Sequence, residues 1–236
     1  MKTSTSPKPL QSLQLAIGIT FTNSGLLENA FIHRSYLNEH KDFSGQSNER
    51  LEFLGDSVLS IIVSDFLFKN LPKSEEGELT QIRASLVRTE TLASIARKLN
   101  LGSYLLLSKG EEDSDGRNNK TILANTFEAL VGAIYIDQTI VQAQNFIQKN
   151  ILANWKKLSK TAVVDFKSKL QEVLQREYHQ SPKYKLVSTY GPDHNRSFEI
   201  AVLLNETTLG VGLGKNKQNA AQNAAERALK SLSGKK

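Results

Sequence analysis

The sequence predicts an all-α domain followed by a small α+β domain of order α-β-β-β-α. Three observations carry that prediction. From residue 11 to residue 158, apolar side chains recur at spacings of three and four, the helical period. After Trp155 the period falls to two over three short stretches, with one helix before them and one after. Charge divides at the same place. From Asp165 onward there are 12 Lys and Arg against 7 Asp and Glu, whereas the whole chain of 236 residues carries only +6. The domains are therefore drawn at 11–157 and 165–236, with 158–164 as a linker.

Within the first domain the helical stripes run in order. They are Leu10/Leu13/Ile17, Leu26/Leu27/Ala30/Phe31, Leu51/Leu54/Val58/Ile62, Ile82/Leu86, Leu92/Ile95/Ala96/Leu99 and Phe127/Leu130/Val131/Ile134. Breakers separate them at Asn23-Ser24-Gly25, Ser44-Gly45, Leu71-Pro72-Lys73 and Asn100-Leu101-Gly102. Residues 110–119, polar throughout, are expected to form a flexible loop, and Lys156 to Val164 to join the domains. The second domain opens with an amphipathic helix bearing Phe166, Leu170, Val173, Leu174 and Tyr178. Alternation follows at Tyr184/Leu186/Ser188/Tyr190, Phe198/Ile200/Val202/Leu204 and Thr207 to Gly212, with turns at residues 191–195 and 205–206. An Ala-rich helix over 219–232 closes it.

Composition excludes several classes of function. There are no cysteines, so disulfide scaffolds, thiolate metal sites and thiol nucleophiles are absent. The first ten residues hold no apolar core of a signal peptide. No uncharged apolar run reaches the roughly 18 residues that span a bilayer; the longest, Val58 to Phe68, contains Asp65. The expectation is a soluble, cytoplasmic protein without a membrane partner or an organic cofactor. The basic C-terminal third points to a polyanion-binding module.

The densest chemistry lies in residues 48–59. Glu49, Glu52 and Asp56, spaced three and four apart, share one helical face, roughly 140° from the stripe of Leu51, Leu54, Val58 and Ile62 at about 100° per residue. Three like charges there destabilise a helix unless something offsets them, and a divalent cation with hard oxygen ligands would do so. The bland alternative is a solvated acidic face. Gly55, between stripe and acids, permits close approach of another helix. Asn125 and Glu128 share a face with the small residues Ala129 and Gly132, so two helices could bring Glu52, Asp56, Asn125 and Glu128 into one oxygen-rich cage suited to magnesium. Asn125 could equally serve as a hydrogen-bonding group inside the bundle. Phe53 projects beside the acids, away from the apolar stripe, as a partner-facing aromatic or one covered by a local loop.

The run Asn48-Glu49-Arg50-Leu51-Glu52-Phe53-Leu54-Gly55-Asp56 resembles the signature of ribonuclease III, the double-strand-specific RNA endonuclease family. So do His33-Arg34-Ser35-Tyr36, residues 76–80, residues 83–88, Gly110-Glu111-Glu112 with Gly116-Arg117, and the opening of a double-stranded-RNA-binding domain at residues 165–172. The resemblance implies a homodimer that cuts both strands of a duplex with Mg²⁺, Mn²⁺ being able to substitute. Its products carry 5′-phosphate and 3′-hydroxyl ends with a short 3′ overhang, in ribosomal and messenger RNA processing. It implies that Glu52, Asp56 and Glu128 are metal ligands, with Asn125 standing where the family usually has Asp. Asp56 and Glu128 would be catalytic together with Glu49 and Glu76 in the catalytic valley, and Phe53 would plug into the partner. In the C-terminal module Gln171 and Gln175 on the first helix, His194 and Asn195 at a strand turn, and Lys215 and Lys217 before the last helix would contact RNA. The family's paired lysine appears here as Lys217-Gln218. The competing readings are a non-cleaving double-stranded-RNA-binding protein weakened at Asn125, and a helical adaptor dimer, which leaves the basic module unexplained.

Overall fold

The computed structural model describes residues 7–159, 166–192 and 196–233. The chain separates into two compact units, Met1–Val163 and Val164–Lys236.

The first unit is helical. Its helices are α1 (Leu10–Ile17), α2 (Ser24–Asn29), α3 (Arg34–Glu39), α4 (Glu49–Asn70), α5 (Glu76–Val87), α6 (Thr89–Lys98), α7 (Lys109–Asp113), α8 (Lys120–Asp137), α9 (Ile140–Asn150) and α10 (Trp155–Ser159). Short 3₁₀ turns occupy Leu101–Tyr104, Gly116–Asn118 and Leu152–Asn154. α8 is apolar on nearly every side between Ile122 and Ile134 and is buried accordingly, as a helix without a polar face must be. α4 lies along it with Leu51, Val58, Leu59, Ile62, Val63 and Leu67 inward. The two backbones meet at glycines. A Cβ on Gly55 would run into the carbonyl of Glu128, and one on Gly132 into that of Leu51. Gly55→Ala is therefore expected to force α4 and α8 apart and to cost about 1–3 kcal/mol or more through overpacking. Denaturant melts of the two chains check it.

The starts of the helices that matter are fixed by buried or capping polar groups. Asn48 is only 3% exposed. Its backbone N–H donates to Ile32 O at 2.8 Å and its amide to Ala30 O at 3.3 Å, which sets where α4 begins. Asn119 Oδ1 accepts from the N–H groups of Thr121 and Ile122, capping α8.

Two expectations for this unit are corrected. Residues 110–119 are not a simple loop: Ser108 Oγ accepts from Glu111 N and caps α7, and the 3₁₀ turn follows. Arg117 forms an ion pair with Glu112 and donates to Gly102 O at 2.8 Å, so the polar composition serves local ties rather than solvent. The expected joining segment begins as helix α10, because Trp155 packs edge-on against Phe66 and Leu158 against the same core. Residues 160–164 lie outside the described residues.

The second unit comprises α11 (Phe166–Tyr178), β1 (Lys183–Tyr190), β2 (Ser197–Leu204), β3 (Thr207–Gly214) and α12 (Lys217–Ser233), with an antiparallel sheet of order β1-β2-β3. Leu170, Leu174, Val202, Ala224, Ala225 and Ala228 form its core. Gly210, Gly212 and Gly214 face α12, where any Cβ would strike backbone at Ala220, Ala224 or Ala228. The Ala-rich helix thus seats directly on the sheet. Strict alternation along β1 fails: the ladder shifts between Leu186 and Ser188, leaving Val187 as an extra residue. Leu186, the last residue before the shift, is 43% exposed, while Tyr184 stays against the core. α12 also starts two residues earlier than the Ala-rich pattern indicated, at Lys217.

Candidate active site

α4 and α8 cross where Gly55 and Gly132 let them touch, and this brings the two acidic motifs to one cavity of about 670 Å³. Glu49, Glu52 and Asp56 line it from α4, Asn125 and Glu128 from α8, and Glu111 from α7. Arg34 is the one Lys or Arg among the lining residues. Its guanidinium stands 3.7 Å from Glu49, whose other oxygen accepts from Ser47 Oγ at 2.8 Å. Among the described residues, four carboxylates therefore face the cavity without a cationic partner on its wall.

The electrostatic consequence falls on Glu128. Burial pushes its carboxyl up to about 8, and the Asp56 and Glu52 charges add to the rise. Glu52 is raised as well, by burial and then by Glu49, while hydrogen bonding from the Asn125 side chain opposes the rise. Asn125 is thus more than a bundle-stabilising amide; it faces the acids. An amide whose N–H serves Glu52 retains its carbonyl oxygen as an acceptor.

Not every expected residue joins this group. Glu76, at the first turn of α5, accepts from Thr80 Oγ1 at 2.8 Å and lines a separate cavity of about 460 Å³ with Ile61, Phe68, Leu79 and Arg83. Within one chain the structure does not bring it to the acids. Phe53 sits at the rim of the acidic cavity and is 78% exposed, so no local loop covers it. Ile61 and Phe68 continue an exposed apolar series along the same helix. The cavity also contains His33, Glu111, Asn119 and Thr121, none of which spacing alone singled out. Asn119 and Thr121 come from the start of α8; His33 and Glu111 arrive from two other segments, and the only sequence signal for those two was the match to a known signature.

In the second unit Gln171 and Gln175 lie on the exposed side of α11, around a shallow depression shared with Ser168, Arg176 and His179. Asn216 Oδ1 caps α12 through Asn219 N at 2.8 Å. Lys215 precedes that cap, but Lys217 is the first helical residue rather than one before the helix. His194 and Asn195 lie outside the described residues.

A helical unit with a carboxylate-walled cavity, joined to an α-β-β-β-α unit with a polar helix face, defines the class of protein. Residues 23–155 match the Ribonuclease-III-like family and residues 166–232 the double-stranded RNA binding motif. The chain belongs to the ribonuclease III family. It is 44% identical to ribonuclease 3 of Bacillus cytotoxicus over 222 residues, covering 94% of this chain and 91% of the relative. It is 46% identical to ribonuclease 3 of Enterococcus faecalis, covering 91% and 94%. The solved nuclease domain of ribonuclease III from Campylobacter jejuni is 35% identical with a TM-score of 0.57, covering 62% of this chain and 96% of that domain. A second structure of that domain, 36% identical with a TM-score of 0.55, covers 60% of this chain and 98% of its own, and describes flexibility in a region involved in dimer formation.

Proposed function

We propose that this chain is a magnesium-dependent endonuclease of double-stranded RNA. It leaves 5′-phosphate and 3′-hydroxyl ends with a short 3′ overhang, in the processing of ribosomal and messenger RNA in the cytoplasm. The observation that carries the reading is the carboxylate excess around Glu128 in a chain that also bears a double-stranded RNA binding motif. Among the described residues no helix is long and apolar enough to cross a membrane.

The donor set fits Mg²⁺, with Mn²⁺ as a substitute. Glu52, Asp56, Glu128 and Asn125 offer it oxygen ligands, and a dication offsets the burial and neighbouring charge that raise Glu52 and Glu128. Among the described residues no three His, Cys, Asp or Glu converge in ready-made ligation geometry. Glu52, Asp56, Glu128 and the Asn125 carbonyl would hold the ion. When bound, the ion supplies an activated water and charge stabilisation on the phosphate oxygens. Asp56 and Glu128, one ligand from each of the two crossing helices, would fix where that chemistry occurs. Glu49, tied to Arg34 and Ser47, lines the entrance.

The domains in this reading are the endonuclease over 11–157, a linker over 158–164 and the RNA-binding domain over 165–236. The enzyme works as a homodimer, with Phe53 inserted into the partner. Glu76 belongs to the catalytic valley of that dimer, since it shares its cavity with the exposed Ile61 and Phe68 rather than with the acids of its own chain. Gln171, Gln175, His194, Asn195, Lys215 and Lys217 contact duplex RNA.

Incubation with a long RNA duplex, with and without Mg²⁺, tests the function. Strand scission only with the cation supports it; a duplex bound but never cut would establish the non-cleaving reading instead. For the RNA-binding face, Lys215→Ala with Lys217→Ala is expected to weaken binding. It should also flatten the log–log salt dependence by about 0.7 to 0.9 per lost phosphate contact. Filter binding across a salt series reads both quantities, and an unchanged slope would remove these lysines from the phosphate backbone.

A further inference from the structure

His33 enters the acidic cavity with its hydrogen bonding already divided. It caps α3, its Nδ1 accepting from Ser35 N at 3.3 Å. Ser35 Oγ lies 2.8 Å from the same nitrogen and accepts from Ser108 N at 3.0 Å; because Nδ1 already accepts Ser35 N–H, the hydroxyl donates to it as well. A nitrogen that accepts two hydrogen bonds carries no proton, so the neutral ring bears its proton on Nε2. Among the described residues no partner holds that Nε2–H. Half-burial lowers the imidazole pKa, with Glu111 and Glu49 acting in the opposite sense and Arg34 with it. The two contacts at Nδ1 fix the tautomer, and the ring presents its Nε2–H as a donor.

Its neighbour in sequence is the one guanidinium among the described residues that line the cavity. Arg34 is exposed, and its bond to Glu49 at 3.7 Å is a loose ion pair of the kind worth little in solvent. A polyanion approaching a wall of carboxylates needs donors to set against the repulsion. His33 and Arg34 are adjacent and both line the cavity, His33 with its Nε2–H unpartnered among the described residues and Arg34 with a contact to Glu49 at 3.7 Å long enough for a phosphate to displace.

We propose that the His33 Nε2–H and the Arg34 guanidinium form a donor pair that takes a phosphate oxygen of the RNA strand entering this cavity. The inference rests on the double-stranded-RNA reading and adds a positioning contact to it. The Ser35–Ser108 relay orients the imidazole: it holds the ring so that the protonated nitrogen is the one presented to RNA.

The test separates this contact from the structural role of His33. Asn is itself a strong N-cap residue, so His33→Asn keeps the α3 cap and deletes only the outward donor. With the full chain, saturating Mg²⁺ and an RNA duplex of defined length, KM should rise about tenfold, in the range of a lost hydrogen bond to a charged group, with kcat within about twofold and the melting temperature unchanged. Arg34→Gln should raise KM similarly and flatten the salt slope by about 0.7 to 0.9, whereas His33→Asn, losing a neutral donor, should leave the slope alone. His33→Gln, with an amide N–H near the place of Nε2, should recover most of the loss. Wild-type KM in His33→Asn, or a change confined to kcat, overturns the proposal. So does a rise in KM that tracks a lowered melting temperature in both His33 variants, which is the mark of a lost cap alone. If wild type does not cut the duplex at all, the nuclease reading fails by itself. The same variants are then compared by equilibrium Kd in Mg²⁺, where equal values for His33→Asn and wild type overturn the donor pair.

Discussion

Glu128→Gln is expected to abolish duplex cleavage, by about a thousandfold or more on the scale of losing a group that stabilises the transition state, while RNA affinity changes less than about twofold. Glu128 is the most perturbed carboxyl of the cavity, held at about 8 by burial and by the Asp56 and Glu52 charges. Glutamine keeps the shape and removes the charge that a magnesium ion needs, and the basic C-terminal unit is untouched. The same substitution carries a stability signature. A carboxyl raised from its unfolded value to about 8 binds a proton in the folded state that the unfolded chain has released. Its contribution to stability is present below the unfolded value and is lost as pH rises through about 8. Glutamine cannot ionise, so metal-free Glu128→Gln should melt above wild type at pH 8.5 and lose that advantage near pH 4. Single-turnover cleavage and metal-free melts across pH check the two halves. Unchanged cleavage would remove Glu128 from the site, and a pH-independent difference in melting would remove its perturbed charge.

Much of this site could be read from spacing because helical geometry is local. The i, i+3, i+4 pattern placed Glu49, Glu52 and Asp56 on one face, and a glycine between acids and apolar stripe foretold the close crossing that Gly55 makes with Glu128. What spacing could not supply is anything that depends on which segments meet. His33 and Glu111 reach the cavity through the backbone bridge between Ile32 and Leu106, a contact between residues more than seventy apart. Glu76 has the composition of a site residue, yet the path of α5 carries it elsewhere within the chain. Residues 110–119 looked like solvent-exposed loop because polarity alone does not distinguish side chains that hydrate from side chains that bind one another, as Arg117 and Glu112 do. The bulge at Val187 has the same cause: one extra residue in an edge strand leaves composition unchanged and reverses which side chains face inward.

Asn125→Asp is expected to lower the magnesium concentration for half-maximal cleavage by about tenfold or more, because hard divalent cations are held by ligand charge as well as oxygen count. Its side chain faces Glu52, and its hydrogen bonding is one of the influences holding the Glu52 carboxyl down. Aspartate removes that donor and adds a fourth carboxylate beside Glu52, Asp56 and Glu128. Without metal, the added repulsion should push Glu52 and Glu128 further up and lower the melting temperature. With metal, the extra charge becomes a ligand charge, so the gain in melting temperature on adding Mg²⁺ should exceed that of wild type, as linkage requires of any ligand bound more tightly by the folded state. Maximal rate should change little, since the oxygen positions are nearly the same. A magnesium titration of cleavage paired with melts at the same concentrations decides it. Superimposable titrations and equal melting gains would place Asn125 beyond the ion's reach. Cleavage by Asn125→Asp alone, with wild type inert at every magnesium concentration, would show that the amide has turned this chain into a binder of duplex RNA.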